Sequence, residues 1–365
     1  MPRLTTATEA TTKLQFLLSA PMDLMNSMYF TALAGDIEGI DGWPQQVRRE
    51  MAPDLLAELD FLYNYPAGDP GIVGTLTDNL FTHPELWPDI ASLAPYVRGL
   101  SAGEAGIQGI IYETTFRHLE EPERAPCEGL PQRVAVERRM RSLGDRDAEA
   151  IMAFYDRPEE LRERMARLIE RFYDEHYRQE LPRRWPALER SVAAHRGETG
   201  ADPVELTRRL TARPKACLED TCAGGYTKLI FAPSVDMGPY TSCSVIDGIH
   251  GLFYPCEAEF ISGGDADAAE TQRLARVYKA LSDEQRLRIL RLLREREMYA
   301  QEIVERTGLH QSVVSRHLTF MRVVGLLNVR PENNMKFYSI NNDMRELLGR
   351  TLDLFVPASN QGGAP

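Results

Sequence analysis

The chain has 365 residues, a net charge of −12 and 43% hydrophobic residues, so it is long enough to bury a sizeable core and to hold two or more domains. Its five cysteines form no dense framework, and no apolar run approaches a membrane span or the core of a signal peptide. These features exclude a membrane-spanning protein and a secreted disulfide scaffold, and we expect a cytoplasmic protein.

The first 260 residues are predicted to be mainly α-helical. Residues 1–12 are rich in Thr and Ala, and we expect them to be frayed. A short strand near Phe16 is followed by a helix after Pro21. Further helical patterns are found at residues 45–63, 88–100, 102–120, 158–181 and 185–195, and at a helix opened by Asp202 and Pro203. Glu and Arg alternate on the outer face of residues 158–181, which indicates a solvated, ion-paired surface.

The sequence pattern changes at Gly224. Three short β-rich runs, at residues 226–232, 241–246 and 251–254, are separated by Pro, Gly and Asp turns, which predicts a small β-meander. The Gly- and Asp-rich stretch that begins at Ile261 is typical of a linker. We therefore predict an α-rich domain at residues 1–260, a linker at 261–268, a second domain at 269–356 and a disordered tail at 357–365.

The second domain contains four elements in close succession. Ser282 or Asp283 can cap a helix with an apolar stripe at Leu287, Leu290 and Leu293. A shorter helix at about 301–307 stops at Gly308, and a third covers about 311–324. Two apolar runs, 326–329 and 335–340, flank the turn Arg330-Pro-Glu-Asn-Asn. This order predicts a winged helix-turn-helix, so the fold class is mainly α with small β elements.

The third of these helices has the chemistry of a DNA-reading helix. Val314, Leu318 and Met321 share one face, and hydrogen-bonding side chains with a cation occupy the other, as contacts to base edges and phosphates require. The predicted DNA-binding residues are Gln301, Gln311, Ser312, Ser315, Arg316, Thr319, Arg322, Arg330 and Lys336. Residues 286–336 hold ten Lys or Arg and five Asp or Glu, a local charge of +5, which leaves −17 for the remainder. A basic surface on an acidic protein favours specific, salt-sensitive DNA binding.

Three motifs carry a family resemblance. Leu281-Ser-Asp-Glu-Gln-Arg-Leu-Arg-Ile-Leu, Val314-Ser-Arg-His-Leu and Phe337-Tyr-Ser-Ile resemble, in this order, the ArsR/SmtB family of bacterial winged-helix repressors. The resemblance covers the last quarter of the chain. It implies a homodimer, joined by the first and last helices of the domain, whose affinity for an operator in double-stranded DNA is altered by an effector.

The whole chain is also similar to long ArsR-type regulators with an uncharacterised N-terminal region, through its order of helices, small sheet, linker and DNA-binding domain. This similarity implies that residues 1–260 sense an effector or stabilise the dimer. Methionine and aromatic residues in amphipathic segments favour a small organic effector in an apolar pocket. An alternative is a metal, metalloid or thiol-redox sensor that uses Cys217, Cys222, Cys243 and Cys256. The family's usual metal box falls at Glu297-Met-Tyr-Ala-Gln-Glu-Ile, which contains no cysteine.

A fused enzyme is the least favoured alternative. The sequence contains no nucleophile elbow, P-loop, H-E-x-x-H motif or dinucleotide fingerprint. We therefore predict a regulator without catalytic activity and without a cofactor.

Overall fold

The computed structural model describes residues 13–35, 37–40, 42–63, 71–116, 125–143, 148–198, 201–211, 228–256, 258–261, 266–332, 335–344 and 348–349. The chain divides into two compact units, which are Met1–Leu210 with Cys217–Cys256 and Thr211–Ala216 with Glu257–Pro365. Several predictions lie outside the described residues, namely the frayed start, the disordered tail, most of the last helix, Cys217 and Cys222. No described helix is long and apolar enough to cross a bilayer.

The N-terminal unit contains a four-stranded sheet beside its helices. The strands are β1 (Lys13–Phe16), β2 (Lys228–Ser234), β3 (Ser242–Ile246) and β4 (Ile249–Pro255), in the order β1-β2-β4-β3. Strand β2 runs parallel to both β1 and β4, and β3 is antiparallel to β4. The predicted meander is therefore wrong, although the mainly α class with small sheets is confirmed. The burial of the strands agrees with this topology. β2 and β4 are almost continuously buried, as central parallel strands are, whereas β3 is half exposed.

A tight hairpin joins β3 and β4. Asp247 and Gly248 form its two-residue loop, and both have positive φ, 49° and 75°. That pair of angles defines a type I′ turn, for which Asp-Gly is a preferred sequence. Further along β4, a Cβ on Gly251 would lie 2.3 Å from Cδ2 of Phe81, so only glycine allows this ring to pack on the strand.

The helices of this unit mostly follow the predicted pattern. They are α1 (Ala20–Leu33), α2 (Trp43–Glu50), α3 (Pro53–Tyr63), α4 (Gly71–Asn79), α5 (Leu93–Gly99), α6 (Ile107–Phe116), α7 (Gln132–Leu143), α8 (Ala148–Asp156), α9 (Pro158–Phe172), α10 (Arg178–His195) and α11 (Pro203–Thr211). The predicted helix at 45–63 is two helices, because Pro53 disfavours a helical conformation in the residue before it. The break predicted at Pro182 is absent, and α10 continues through Pro182 and Pro186. A π-helical turn at Tyr173–Tyr177 joins α9 to α10.

A buried polar network joins α1, α10 and the end of β2. Asp23 is fully buried, and one of its carboxylate oxygens accepts hydrogen bonds from the Ser234 hydroxyl (2.8 Å) and the Val235 backbone N–H (2.9 Å). Its other oxygen accepts from the Tyr177 hydroxyl (2.7 Å). Asp23 therefore fastens the N-terminal helix to the strand that carries Ser234.

Arg184 is the cation of this network and is only 3% exposed. Its Nη1 donates to Asp236 Oδ2 (2.6 Å), to the Ser27 hydroxyl (3.1 Å) and to Asp23 (3.4 Å). Its guanidinium carbon lies 4.1 Å from the centroid of the Trp43 ring. Two buried carboxylates thus share one buried guanidinium, which is stacked on an aromatic ring.

This network predicts a pH-dependent effect of Asp236→Asn. Burial raises the pKa of Asp236, Arg184 opposes the shift and Asp23 adds to it. A carboxyl with a raised folded-state pKa contributes stability below its unfolded pKa of about 3.9, and this contribution is lost as pH rises through the folded pKa. Asparagine has no charged form, so the free energy of unfolding of the variant should rise relative to wild type as pH increases above about 4.

Urea unfolding followed by tryptophan fluorescence measures this effect, because Trp43, Trp87 and Trp185 all belong to the N-terminal unit. Asp174→Asn makes the same substitution at an exposed position and serves as the control. A difference between Asp236→Asn and wild type that stays constant with pH would contradict the prediction.

The C-terminal unit is built around one hydrophobic core. Its elements are α12 (Ala258–Ile261), α13 (Ala266–Leu281), α14 (Glu284–Leu293), β5 (Met298–Tyr299), α15 (Ala300–Thr307), α16 (Gln311–Val323), β6 (Leu327–Glu332) and β7 (Met335–Ile340). The three strands form a sheet in the order β5-β7-β6. Asp283 caps α14, but Leu287, predicted in its apolar stripe, is 42% exposed, and Ile289 is buried instead. The helix-turn-helix and the wing are present as predicted, except that Arg330, Pro331 and Glu332, predicted in the turn, pair with β7 as part of β6.

Candidate nucleic-acid interface

The turn between α15 and α16 fixes the direction of α16. Gly308 has φ 72° and donates its N–H to the Val304 carbonyl (2.8 Å), which ends α15 in the left-handed conformation expected there. His310 caps α16, and its Nδ1 lies 2.8 Å from the Ser312 hydroxyl. Because the cap and the turn are adjacent, α16 leaves α15 at a defined angle.

The two faces of α16 differ in the way the sequence predicts. Val314, Leu318 and Met321 are completely buried in the core of the unit. The predicted DNA-contacting side chains lie elsewhere on the helix or near it. Gln311, Ser312, Ser315 and Arg316 are exposed on α16, Thr319 and Arg322 are half-buried on it, Gln301 is exposed on α15, and Arg330 and Lys336 are exposed on the wing. The structure thus presents a polar helical surface over a rigid apolar support.

Arg286 is a buried anchor that the sequence reasoning missed. The sequence pattern includes Arg286 in the basic surface predicted for residues 286–336, but its side chain is buried, with only 3% of the residue exposed. Its Nε donates to the Ala280 carbonyl (2.8 Å), its Nη2 donates to the Lys279 carbonyl (2.7 Å), and its guanidinium lies 5.2 Å from the Phe320 ring centroid. Arg286 therefore connects the end of α13 to α14 and to α16, so its charge serves packing.

The wing arginine is held by acidic side chains. Arg330 Nη2 donates to Glu297 (2.6 Å) and Nη1 donates to Glu332 (2.7 Å). The hydrogen bonds that Arg330 donates to the Glu297 and Glu332 carboxylates raise the pKa of Arg330. A phosphate that approaches this arginine must compete with two carboxylates, which the sequence alone did not indicate.

The remaining positive charge lies mainly on two helices. Arg296 pairs with Glu302 (2.8 Å) and Arg306 pairs with Glu295 (3.3 Å). Among the described residues, no acidic side chain pairs with the exposed or half-buried arginines of α14, its C-cap and α16, which are Arg288, Arg291, Arg294, Arg316 and Arg322. These arginines are therefore available to an anion without breaking an ion pair to a described residue.

The structure places two of the four candidate metal-binding cysteines apart. Cys243 is exposed on β3 and pairs with Leu252 across the sheet, whereas Cys256 is buried and donates its thiol to the Ala187 carbonyl (3.4 Å). Four residues of strand separate Leu252 from Cys256, a distance of about 13 Å. Thiolates that share one zinc ion lie within about 5 Å of each other, so this arrangement does not bring the two together. No group of metal-ligating side chains occurs in the described parts of the chain.

Comparisons with known proteins identify this region. Residues 283–329 match the family model described as "Bacterial regulatory protein, arsR family". The chain is 40% identical over 78 residues to the transcriptional activator HlyU of Vibrio cholerae serotype O1, a match that covers 20% of this chain and 72% of HlyU. The chain belongs to the ArsR family. It is thus a DNA-binding transcriptional regulator with a winged helix-turn-helix.

Other ArsR-type proteins match the same part of the chain. The arsenical resistance operon repressor of Staphylococcus xylosus is 30% identical over 93 residues, which is 26% of this chain and 88% of the repressor. Among solved structures, the homodimeric winged helix-turn-helix domain of Mb0332 from Mycobacterium bovis has 27% identity and a TM-score of 0.22, with coverage of 28% of this chain and 95% of that domain. The residues that match the ArsR family model, 283–329, all belong to the C-terminal unit and extend from the cap of α14 into β6.

Proposed function

We propose that this chain is a cytoplasmic, dimeric repressor that binds a specific operator, and that an effector bound in the N-terminal domain changes its operator affinity. The observation that carries the proposal is the exposed polar face of α16, supported from behind by a fully buried apolar face. A helix of this kind fits the major groove of double-stranded DNA.

Each predicted residue has a proposed role in this complex. Gln311, Ser312, Ser315 and Arg316 contact base edges, because they are exposed at the N-terminal half of α16. The contacts to the DNA backbone are assigned to Gln301, Thr319, Arg322, Arg330 and Lys336. Backbone contacts position the protein, and base contacts give it specificity.

The proposed dimer uses the first and last helices of the domain predicted at residues 269–356. The first of these, α13, begins at Ala266, three residues inside the linker predicted at 261–268. Tyr278 of α13 is 42% exposed, as an apolar side chain at a subunit seam would be in a single chain. Two-fold symmetry would set two copies of α16 about one turn of DNA apart. The domain at residues 1–260 would then act as the effector-sensing part, with a small organic ligand as the favoured effector.

An activator is the second candidate. HlyU, which is 40% identical over the matched residues, is described as a transcriptional activator, whereas the Staphylococcus xylosus relative is described as a repressor. A promoter fusion carrying the selected operator distinguishes them, because a repressor lowers and an activator raises transcription when the chain is expressed.

Selection of random duplex DNA by the purified full chain tests the proposal directly. We expect a two-fold symmetric consensus, and sedimentation analysis should show a dimer in solution that persists on the DNA. Recovery of no consensus, with equal binding to all duplexes, would contradict sequence-specific recognition.

The ion pairs of the wing predict the effect of Glu297→Gln on DNA binding. This substitution removes one of the two carboxylates that hold Arg330. The arginine then meets phosphate with less competition, and we expect operator affinity to rise by roughly 3–10-fold at low salt. Fluorescence anisotropy with labelled operator measures the change.

Glu189→Gln is the matched control, because it makes the same charge change at an exposed position on α10, in the N-terminal unit. An equal gain from both substitutions would show that only net charge matters. Unchanged affinity for Glu297→Gln would show that Arg330 does not reach the DNA.

A further inference from the structure

A cleft in the N-terminal unit has the properties of a ligand site. It lies between the end of α6, the loop before α7 and the β3–β4 hairpin, and it has a volume of about 590 Å³. Small-molecule sites have volumes of about 300–1,000 Å³. All of its described walls belong to the same compact unit.

Part of the cleft wall is aromatic and aliphatic, although polar atoms make up more of its lining. Tyr112 and Phe116 lie one turn apart on α6, and their ring centroids are 4.8 Å apart with an angle of 34° between the planes. Phe116 is buried behind the half-buried Tyr112. Leu130 and Ile246 line the cleft together with Val245, which is 45% exposed although it is β-branched and apolar. This part of the wall offers the Tyr112 ring and aliphatic surface to a ligand.

The rim of the cleft is acidic. Glu113, Glu128 and Asp247 come from the three different wall segments, and all are exposed. Among the described residues, none of these carboxylates forms an ion pair with an Arg, Lys or His side chain. Elsewhere in this unit, acidic side chains are commonly paired, as in Glu58 with Arg164 and Asp156 with Arg133. Three carboxylates that have no ion pair with a described residue therefore surround this cleft.

The hairpin fixes one of these carboxylates in place. Asp247 lies at the first central position of the type I′ turn, and Gly248 follows it. This turn has little conformational freedom, so the Asp247 carboxylate is carried on a rigid edge of the sheet. The acidic rim is thus not confined to mobile side chains on one helix.

We propose that this cleft binds a hydrophobic organic cation. The ammonium, phosphonium or similar charge would lie near the carboxylates and the Tyr112 ring, while the apolar part of the ligand contacts Leu130, Val245 and Ile246. An anion of the same shape is rejected by like charge. The proposal that the cleft binds a cation depends only on the cleft. The proposal that this cation is the effector rests on the function proposed above.

Tetraphenylphosphonium and tetraphenylborate test the inference, because they have almost the same shape and opposite charge. Calorimetric titration of the full chain without DNA should show saturable binding of tetraphenylphosphonium, at least tenfold tighter than that of tetraphenylborate. Glu113→Gln and Asp247→Asn should each weaken binding of the cation by roughly 3–10-fold. Asparagine also suits the type I′ turn, so Asp247→Asn preserves the hairpin.

Glu189→Gln is the matched control, because this exposed acid on α10 is not part of the cleft wall. It should leave the affinity for the cation unchanged. Three results overturn the inference: no binding of tetraphenylphosphonium at millimolar concentration, equal binding of both ions, or equal losses in the control and the cleft variants.

The effector role is tested separately with operator DNA. Tetraphenylphosphonium should change operator affinity in wild type and change it less in the Glu113→Gln, Asp247→Asn double variant. Carboxylate-dependent binding of the cation without any change in DNA affinity would confirm the cleft and contradict only the effector role.

Discussion

Arg184→Ala is expected to lower the free energy of unfolding of the N-terminal unit by about 3–5 kcal/mol, because removing one partner from a buried ion pair leaves uncompensated charge. Asp23 and Asp236 would remain buried without their shared cation. The variant would also lose the stacking of the guanidinium on Trp43. Urea unfolding followed by tryptophan fluorescence reports this change, and Trp43 itself lies in the network.

Arg183→Ala is the control for this experiment. The two arginines are adjacent in sequence, but the Arg183 side chain is 71% exposed and its nearest carboxylate, on Glu180, is 3.8 Å away. The two variants have the same net charge and the same helix propensity, so the difference between them isolates burial. Arg184→Lys should recover only part of the loss, since lysine lacks the planar donors and stacking of arginine. A cost below about 1 kcal/mol for Arg184→Ala, the size expected of an exposed pair, would contradict a buried network.

Arg316→Ala is expected to weaken binding to the selected operator by about 1–3 kcal/mol, or roughly 5–150-fold. Arg316 is exposed on the polar face of α16, and no described acidic side chain pairs with it. A bidentate contact from arginine to guanine accounts for a loss of this size at one base pair. Anisotropy titrations with the operator and with single-base variants of it measure the loss and locate the base.

The pattern across sequences distinguishes the possible roles of this arginine. If Arg316 reads a guanine, the variant loses discrimination at one position, whereas a phosphate contact weakens binding equally for all duplexes. Arg183→Ala provides the control, because it removes the same charge from an exposed position on α10, in the N-terminal unit. Unchanged affinity for Arg316→Ala would contradict the assignment of α16 as the recognition helix.

The C-terminal fold was predictable from sequence because its signals are local. Gly308 ends α15, Asp283 caps α14, and the turn after Arg330 joins two short strands, each within a few residues of the element that it defines. Two details depended on the tertiary structure instead. Arg286 is buried, and Glu297 pairs with Arg330 across the wing. The hydrophobic periodicity of the sequence reveals neither feature.

The N-terminal unit was predicted less well because its defining contacts are distant in sequence. β2 pairs in parallel with β1, and Lys13 is the register partner of Lys228. Because β1 is so distant in sequence, the pattern of the later strands alone suggested a meander. The candidate ligand cleft likewise combines three separated segments. One local signal was available, since Asp23 is an isolated acid in the apolar sequence of α1 and so required a buried partner.

The attachment of Asp23 to Ser234 also determines when this protein can fold during synthesis. The two residues are 211 positions apart. At a translation rate of roughly 5–20 residues per second, about 10–40 s separate their appearance at the ribosome. During that interval the buried face of α1, which includes Met22, Leu24 and Met25, has no strand to cover it. The N-terminal unit therefore cannot complete this contact until β2 has been synthesised, whereas the helices of the C-terminal unit pack against near neighbours in sequence.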